Sequence, residues 1–185
     1  LLNQDHLKNK FSFYPPYWYY LGLAAHQTYS ASSENELRDL AMRAYGRYGK
    51  LAFAILKKDE MLASAQLGLV QLLDQEQNRA EILELLAWLN SHPPRNWVEI
   101  TTLAICFEKV GDHQNAIKWA QYNVDREKTN NFFHQKVLAR ILLNAGNREL
   151  ADQTISQMLD LKEAIVVDVL QMMGPKNIDI VASRL

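Results

Sequence analysis

Lys136 and Arg140 lie four residues apart, so on a helix their cationic heads share one face. A Lys/Arg pair so placed can grip a carboxylate or an acidic peptide. That is the chemistry of binding, and the residues that could make or break bonds are less well placed. The five histidines (His6, His26, His92, His113, His134) are scattered, with no i,i+4 pair to build a metal site. Cys106, the sole cysteine, sits between Ile105 and Phe107 in an apolar run and reads as a buried, inert thiol. Glu81 and Glu84 fall on a helix with a solvated face and read as surface charge, not as an acid/base pair. There is no Gly-x-Ser-x-Gly elbow, no phosphate-cradling glycine loop and no His-Glu-x-x-His. The sequence implies a non-catalytic protein without a cofactor or a metal site.

The whole chain must supply the frame that positions such a pair. Its 185 residues suffice for one domain or one continuous stack of repeats with a sizeable core. Twenty basic against 21 acidic residues leave a net charge of -1, which supplies no general attraction for nucleic acid or an anionic membrane. No apolar run approaches the length of a membrane span. A single cysteine allows no intrachain disulfide, and no Asn-x-Ser/Thr sequon occurs. Both suit a cytoplasmic protein, with a periplasmic one after leader removal as the alternative. The chain opens on Leu1 without an initiator Met, which leaves open a trimmed form, a processed form or a piece of a longer protein.

Glycine and proline fall at regular boundaries, and the segments between them carry helical apolar periodicity. The expected helices are Tyr17 to Tyr29, Ser33 to about Leu56, Glu60 to Leu73, Asn78 to Asn90, Trp97 to Val110, His113 to Arg126, Phe132 to Ala145, Arg148 to Asp160 and Lys162 to Met173. A short final segment covers Ile178 to Leu185. Ser33 with Glu36 reads as a capping box, Asp59 and Asn78 as helix starts, and Gly46 and Gly49 as a weak point that kinks or breaks the second helix. Gly111 fits a left-handed helix end with Asp112 as the next N-cap. Ser91-His92-Pro93-Pro94 is the strongest stop in the chain. Sustained period-2 alternation is missing, so no sheet is expected.

Small residues then repeat: Gly68, Ala104 and Ala139 are 36 and 35 apart, and Ala80, Ala116 and Ala151 follow each by 12. Such a period marks an array whose units cannot bury their apolar faces alone. The units read Ser64, Leu67, Gly68, Gln71, Ala80, Glu84, Ala87; then Ile100, Leu103, Ala104, Phe107, Gly111, Ala116, Ala120; then Gln135, Leu138, Ala139, Leu142, Gly146, Ala151, Ile155. Trp18-Tyr19-Tyr20-Leu21-Gly22 opens a fainter copy. This resembles the tetratricopeptide repeat family, with a large residue, then Leu-Gly or Leu-Ala on a first helix, and a small and a bulky residue on a second. The resemblance implies an all-α, right-handed superhelical stack of about 9–10 helices in antiparallel hairpins. It would form one domain over 1–185, with a divergent first unit at 16–58, repeats at 61–91, 97–127 and 131–160, and capping helices at 162–185.

In that family the concave face is lined by first-helix positions turned away from the paired second helix. By register these are Tyr19, Leu23 and His26; Ala65, Leu69 and Leu72; Thr101, Ile105 and Glu108; and Lys136, Arg140 and Asn144. The implied groove is apolar at one end and basic at the other; Leu69 and Leu72 read equally as core against the N-terminal helix. Some members hold a partner's C-terminal carboxylate with a Lys/Arg pair and earlier asparagines, where this chain offers Thr101 and Ala65. The resemblance thus implies a scaffold, adaptor or chaperone whose groove receives a partner peptide or helix, an acidic one or one ending in a free carboxylate among the candidates. The alternative is a helical accessory domain of a larger multidomain enzyme or regulator. The aromatic run Phe11 to Tyr20 reads either as a layer capping the stack or as a contact with a partner chain or further domain.

Overall fold

The computed structural model describes residues 13–55, 60–126 and 131–160. These form eight α-helices and no strand: α1 (Pro15–Ser32), α2 (Asn35–Ile55), α3 (Glu60–Leu72), α4 (Arg79–Ser91), α5 (Trp97–Lys109), α6 (His113–Arg126), α7 (Asn131–Asn144) and α8 (Arg148–Asp160). The expected start at Asp59 and the segments from Lys162 onward lie outside the described residues.

The chain divides into two compact units, Leu1–Arg95 and Asn96–Leu185. The division falls just past Pro93 and Pro94, where proline pushes the preceding residue out of helical geometry. Each unit holds two helix hairpins packed by one scheme. In the first, α1 packs on α2, α2 on α3, α3 on α4, and α1 also meets α3; in the second, α5 to α8 repeat those pairings.

In the first unit, Pro15 and Pro16 occupy the first turn of α1, where no amide donor is needed. Helix α2 is amphipathic: Ala41, Ala44, Tyr45, Tyr48 and Ala52 are buried, while Glu36, Asp39, Arg43, Arg47 and Lys50 are exposed. It runs unbroken through Gly46 and Gly49, so the break expected there does not occur. The expected Ser33–Glu36 capping box is also not formed. Helix α1 extends through Ser32, and Ser33 takes a left-handed conformation (φ 60°) so that its N–H reaches the Tyr29 carbonyl at 2.7 Å. That backbone is incompatible with the extended conformation of an N-cap. Arg38, in the first turn of α2, donates from Nε to the Leu72 carbonyl at 2.8 Å and so satisfies the C-terminus of α3.

Packing is close around Tyr45. A Cβ placed on Gly22 of α1 would fall 2.7 Å from one edge of the Tyr45 ring, and one on Gly68 of α3 would fall 2.6 Å from the other. The glycines of the two Leu-Gly pairs therefore admit one aromatic ring from α2 between α1 and α3.

The second unit is built on two identical turns. Gly111 (φ 84°) and Gly146 (φ 75°) take the left-handed position that glycine adopts without strain. At each, paired bonds close the preceding helix: Gly111 N–H to the Glu108 carbonyl and Asp112 N–H to Phe107, then Gly146 N–H to Leu143 and Asn147 N–H to Leu142. Asp112 caps α6 by accepting from the Asn115 N–H at 3.1 Å, as the sequence implies. Asn96 caps α5 by accepting from the Glu99 N–H at 2.8 Å, a cap the sequence reading passed over.

The small-residue ladder holds on the first helices, where Gly68, Ala104 and Ala139 are all buried. It fails at Ala80, which is exposed together with Glu84 and Ala87. The link from α3 to α4 spans residues 73–78, longer than the glycine turns, and is held by Asp74 accepting from the Glu76 and Gln77 amides at 3.0 and 2.9 Å. Helix α4 thus starts later, and the packing position moves to its fourth residue. Ile82, Ala116 and Ala151 are each the fourth residue of their helix, and all are buried. Leu86 and Leu89, Ala120 and Asn123, and Ile155 and Met158 continue the same stripes.

Candidate functional site

The residues expected to line a groove fall in both units. In the first, Tyr19 is half-buried against Tyr48 and Tyr45, with ring centroids 5.5 and 6.5 Å away. His26 stands edge-on to Tyr45 at 6.1 Å, and burial holds its pKa below the ordinary 6.5. Leu69 packs on the core cluster formed by Ala25, Tyr45 and Leu62, while Ala65 and Leu72 lie inside that cluster. Of the two readings open for Leu69 and Leu72, the packing is that of core. Tyr19, His26, Ala65, Leu69 and Leu72 thus pack on Tyr45 or on the cluster it belongs to.

In the second unit, Thr101 is buried. Its hydroxyl donates to the Trp97 carbonyl at 2.8 Å and accepts from Asn123 Nδ2 of α6 at 2.9 Å. Asn123 also donates to the Trp97 carbonyl, so Thr101 belongs to a polar tie inside the α5–α6 hairpin. Ile105 is half-buried one turn further on. Beyond it, Glu108 of α5 meets α7: Arg140 Nη2 lies 2.9 Å from one carboxylate oxygen, and Asn144 Nδ2 donates to the other at 2.7 Å. The Glu108 side chain is only 12% exposed against 45% for Arg140. Lys136 is half-buried one turn before Arg140. The structure therefore brings Glu108, Arg140 and Asn144 together, and the expected cation at 140 already holds a carboxylate of its own chain.

Two residues on this face were missed. Val98 and Phe133 are 53% and 45% exposed, large apolar side chains near the N-terminal ends of α5 and α7. Each precedes its ladder alanine (Ala104 and Ala139) by six residues, so the repeat register itself pointed to them. Phe133 sits edge-on to Trp97 at 6.0 Å, and Trp97 in turn meets the buried His134 ring at 5.2 Å. The aromatic support explains how Phe133 stays at the surface instead of turning inward.

Chemistry elsewhere is sparse. Burial pushes the Cys106 thiol up to about 11, with Lys109 acting weakly in the other direction, so the thiolate nucleophile is disfavoured at neutral pH. Among the described residues no three His, Cys, Asp or Glu side chains gather where a metal ion could be held. No described helix is long and apolar enough to cross a membrane. No family model, curated protein or solved structure matches the chain.

Proposed function

We propose that this chain is a non-catalytic protein-interaction module of the tetratricopeptide-like kind, acting as a scaffold, adaptor or chaperone. The face shared by α5 and α7 receives a peptide or helix from a partner protein. One observation carries this reading: Val98 and Phe133 stand exposed in equivalent register on adjacent helices, with a charged, hydrogen-bonding group at the other end of the same helices. An apolar side chain of the partner covers Val98 and Phe133, where removing surface from water contributes about 25 cal/mol per Å².

The polar end is suited to an acidic residue. Arg140 and Asn144 already present one donor to each oxygen of Glu108, which is the arrangement a carboxylate needs. A partner carboxylate binds there by replacing Glu108. Affinity capture with the intact chain, followed by identification of what is retained, tests the proposal. The variants Val98→Ser/Phe133→Ser and Arg140→Glu should each lose the partner while keeping wild-type helicity by circular dichroism. A partner held equally by all three proteins removes this face from consideration.

A further inference from the structure

Helices α5 and α7 carry two matched rows of outward side chains, and the match indicates what occupies them. On α5 the row is Val98, Thr102, Ile105 and Lys109; Val98 and Lys109 are exposed and the two between them half-buried. On α7 it is Phe133, Val137, Arg140 and Asn144, of which only Val137 is half-buried. Each row steps by four, three and four residues, which keeps it within a sector of about 60° on its helix. The helices run side by side in the same direction. Trp97 meets Phe133 at their first turns, with ring centroids 6.0 Å apart, and Glu108 meets Arg140 and Asn144 toward their C-terminal ends. Both rows are therefore apolar where they begin and polar where they finish, with the cations Lys109 and Arg140 set against one carboxylate, that of Glu108.

The spacing selects a helix as the occupant. From Phe133 to Arg140 the row climbs about 10.5 Å, an interval that a second helix reproduces between its own i and i+7 positions on one side. An extended segment returns to the same side about every 6.6 Å and passes that height without a side chain. Apolar residues on the occupant then cover Phe133, Val137 and Val98, and a carboxylate two turns away reaches Arg140 and Asn144. Direction follows from the helix dipoles. The C-terminal ends of α5 and α7 carry partial negative charge, so the positive N-terminal end of an incoming helix is favoured there, together with an acidic residue in its first turn. Glu108 sets the threshold for entry. Its carboxylate already accepts from Arg140 Nη2 and Asn144 Nδ2 at 2.9 and 2.7 Å. Because it belongs to the same chain, its local concentration at those donors is on the order of millimolar or above, and a lone carboxylate in solution does not compete. One carried by a helix already seated on Val98 and Phe133 does.

We infer that the occupant of the α5–α7 face is an antiparallel amphipathic helix, and that Glu108 is the resident ligand it displaces. The helix carries an acidic residue in its first turn and apolar residues three and seven positions later, the intervals from Arg140 back to Val137 and Phe133. The inference rests on the reading of this face as an interaction surface. The probe is a fluorescein-labelled, alanine-based helical peptide with Glu followed by Leu at those two positions, titrated by anisotropy against the intact chain beside its Gln counterpart. The wild-type chain should bind the Glu peptide about fivefold more tightly than the Gln peptide, the upper end for an exposed ion pair. Glu108→Ala should tighten the Glu peptide by about a further fivefold and leave the Gln peptide unchanged. Glu108→Gln, which keeps the side-chain shape, should act in the same direction. A peptide of the same composition with its leucines on the side opposite Glu should bind more weakly than either. Equal binding of the Glu and Gln peptides, or an effect of Glu108→Ala on both alike, overturns the inference even where Val98→Ser/Phe133→Ser still abolishes partner capture. Failure of both peptides to bind overturns it as well. A captured partner that survives Val98→Ser/Phe133→Ser faults the face itself, not its assigned occupant.

Discussion

The two units solve one packing problem with opposite choices of side chain. In each, a second helix (α2 or α6) lies between two first helices that also approach each other. In the first unit the flanking residues are Gly22 and Gly68, and the middle helix inserts the ring of Tyr45 between them. In the second unit the flanking residues are Ala104 and Ala139, and the middle helix buries Ala116 and Ala120 together with the larger Trp119. The flanking glycines give way to alanines, and burial is nearly complete either way. The lesson is that a Leu-Gly or Leu-Ala pair reports a close approach, while its choice of residue reports the size of what approaches. Close-packed interiors tolerate few voids, so the residues on the two sides of such a contact are coupled.

The sharpest way to break this comparison is to remove the wedge. Tyr45→Ala should lower stability by about 3–5 kcal/mol, as for other large aromatic truncations in a core, whereas Ala116→Gly or Ala120→Gly on α6 should cost only about 1 kcal/mol. Thermal unfolding by circular dichroism would show the difference; a loss below about 1 kcal/mol would mean that the ring is not supporting α1 and α3. Next in size is an exchange with opposite expectations in the two units. Gly68→Ala puts a methyl 2.6 Å from a ring confined on both sides, so overpacking by about 1–3 kcal/mol outweighs the gain in helix propensity. Ala139→Gly in the second unit should cost about 1 kcal/mol from propensity alone, with a further increment from the lost methyl contact. Adding methyls thus harms one unit and removing them harms the other. Gly46, whose Cβ position is open, supplies the control: Gly46→Ala should stabilise α2 by about 0.5–1 kcal/mol.

The helical architecture of the described residues and most of their helix limits were legible in the sequence because period, glycine turns and proline stops agreed with one another. His113–Arg126 and Arg148–Asp160 coincide with the spans read from periodicity. The failures have local causes. Ala80 matched the ladder by spacing, but the Asp74-held link delays α4 and hands the packing position to Ile82. Ser33 looked like an N-cap because residue type cannot distinguish an extended backbone from the left-handed one it adopts. At the candidate site, helix register placed Glu108, Arg140 and Asn144 on one face, yet could not show that they bind one another. Pairing across 32 and 36 residues depends on how α5 and α7 meet. Thr101 was expected to face a ligand and instead meets Asn123, a partner 22 residues away on the paired helix. Sequence spacing along one helix finds faces; what lies across from a face is a tertiary fact.

The smallest expected effect also separates the units, through pH. His26 lies in the first unit, edge-on to the Tyr45 ring, and burial depresses its pKa below 6.5 because the charged imidazolium loses hydration without gaining an opposite charge. In the unfolded chain the same group titrates near 6.5, so between the two pKa values the unfolded state holds more protons than the folded one. Stability then rises with pH across that window. The contribution is fully present above the unfolded value and is lost as pH falls through the depressed folded value. Urea midpoints should therefore fall between pH 7 and pH 5, and His26→Gln should flatten that part of the profile while leaving the high-pH plateau nearly in place. Pairing His26→Gln with Tyr45→Leu identifies the source of the desolvation. If the ring shields the imidazole, the smaller side chain admits water and the slope weakens before His26 is touched. A slope that persists in full without the Tyr45 ring would assign the shielding to the α1 backbone and leave the wedge a purely steric device.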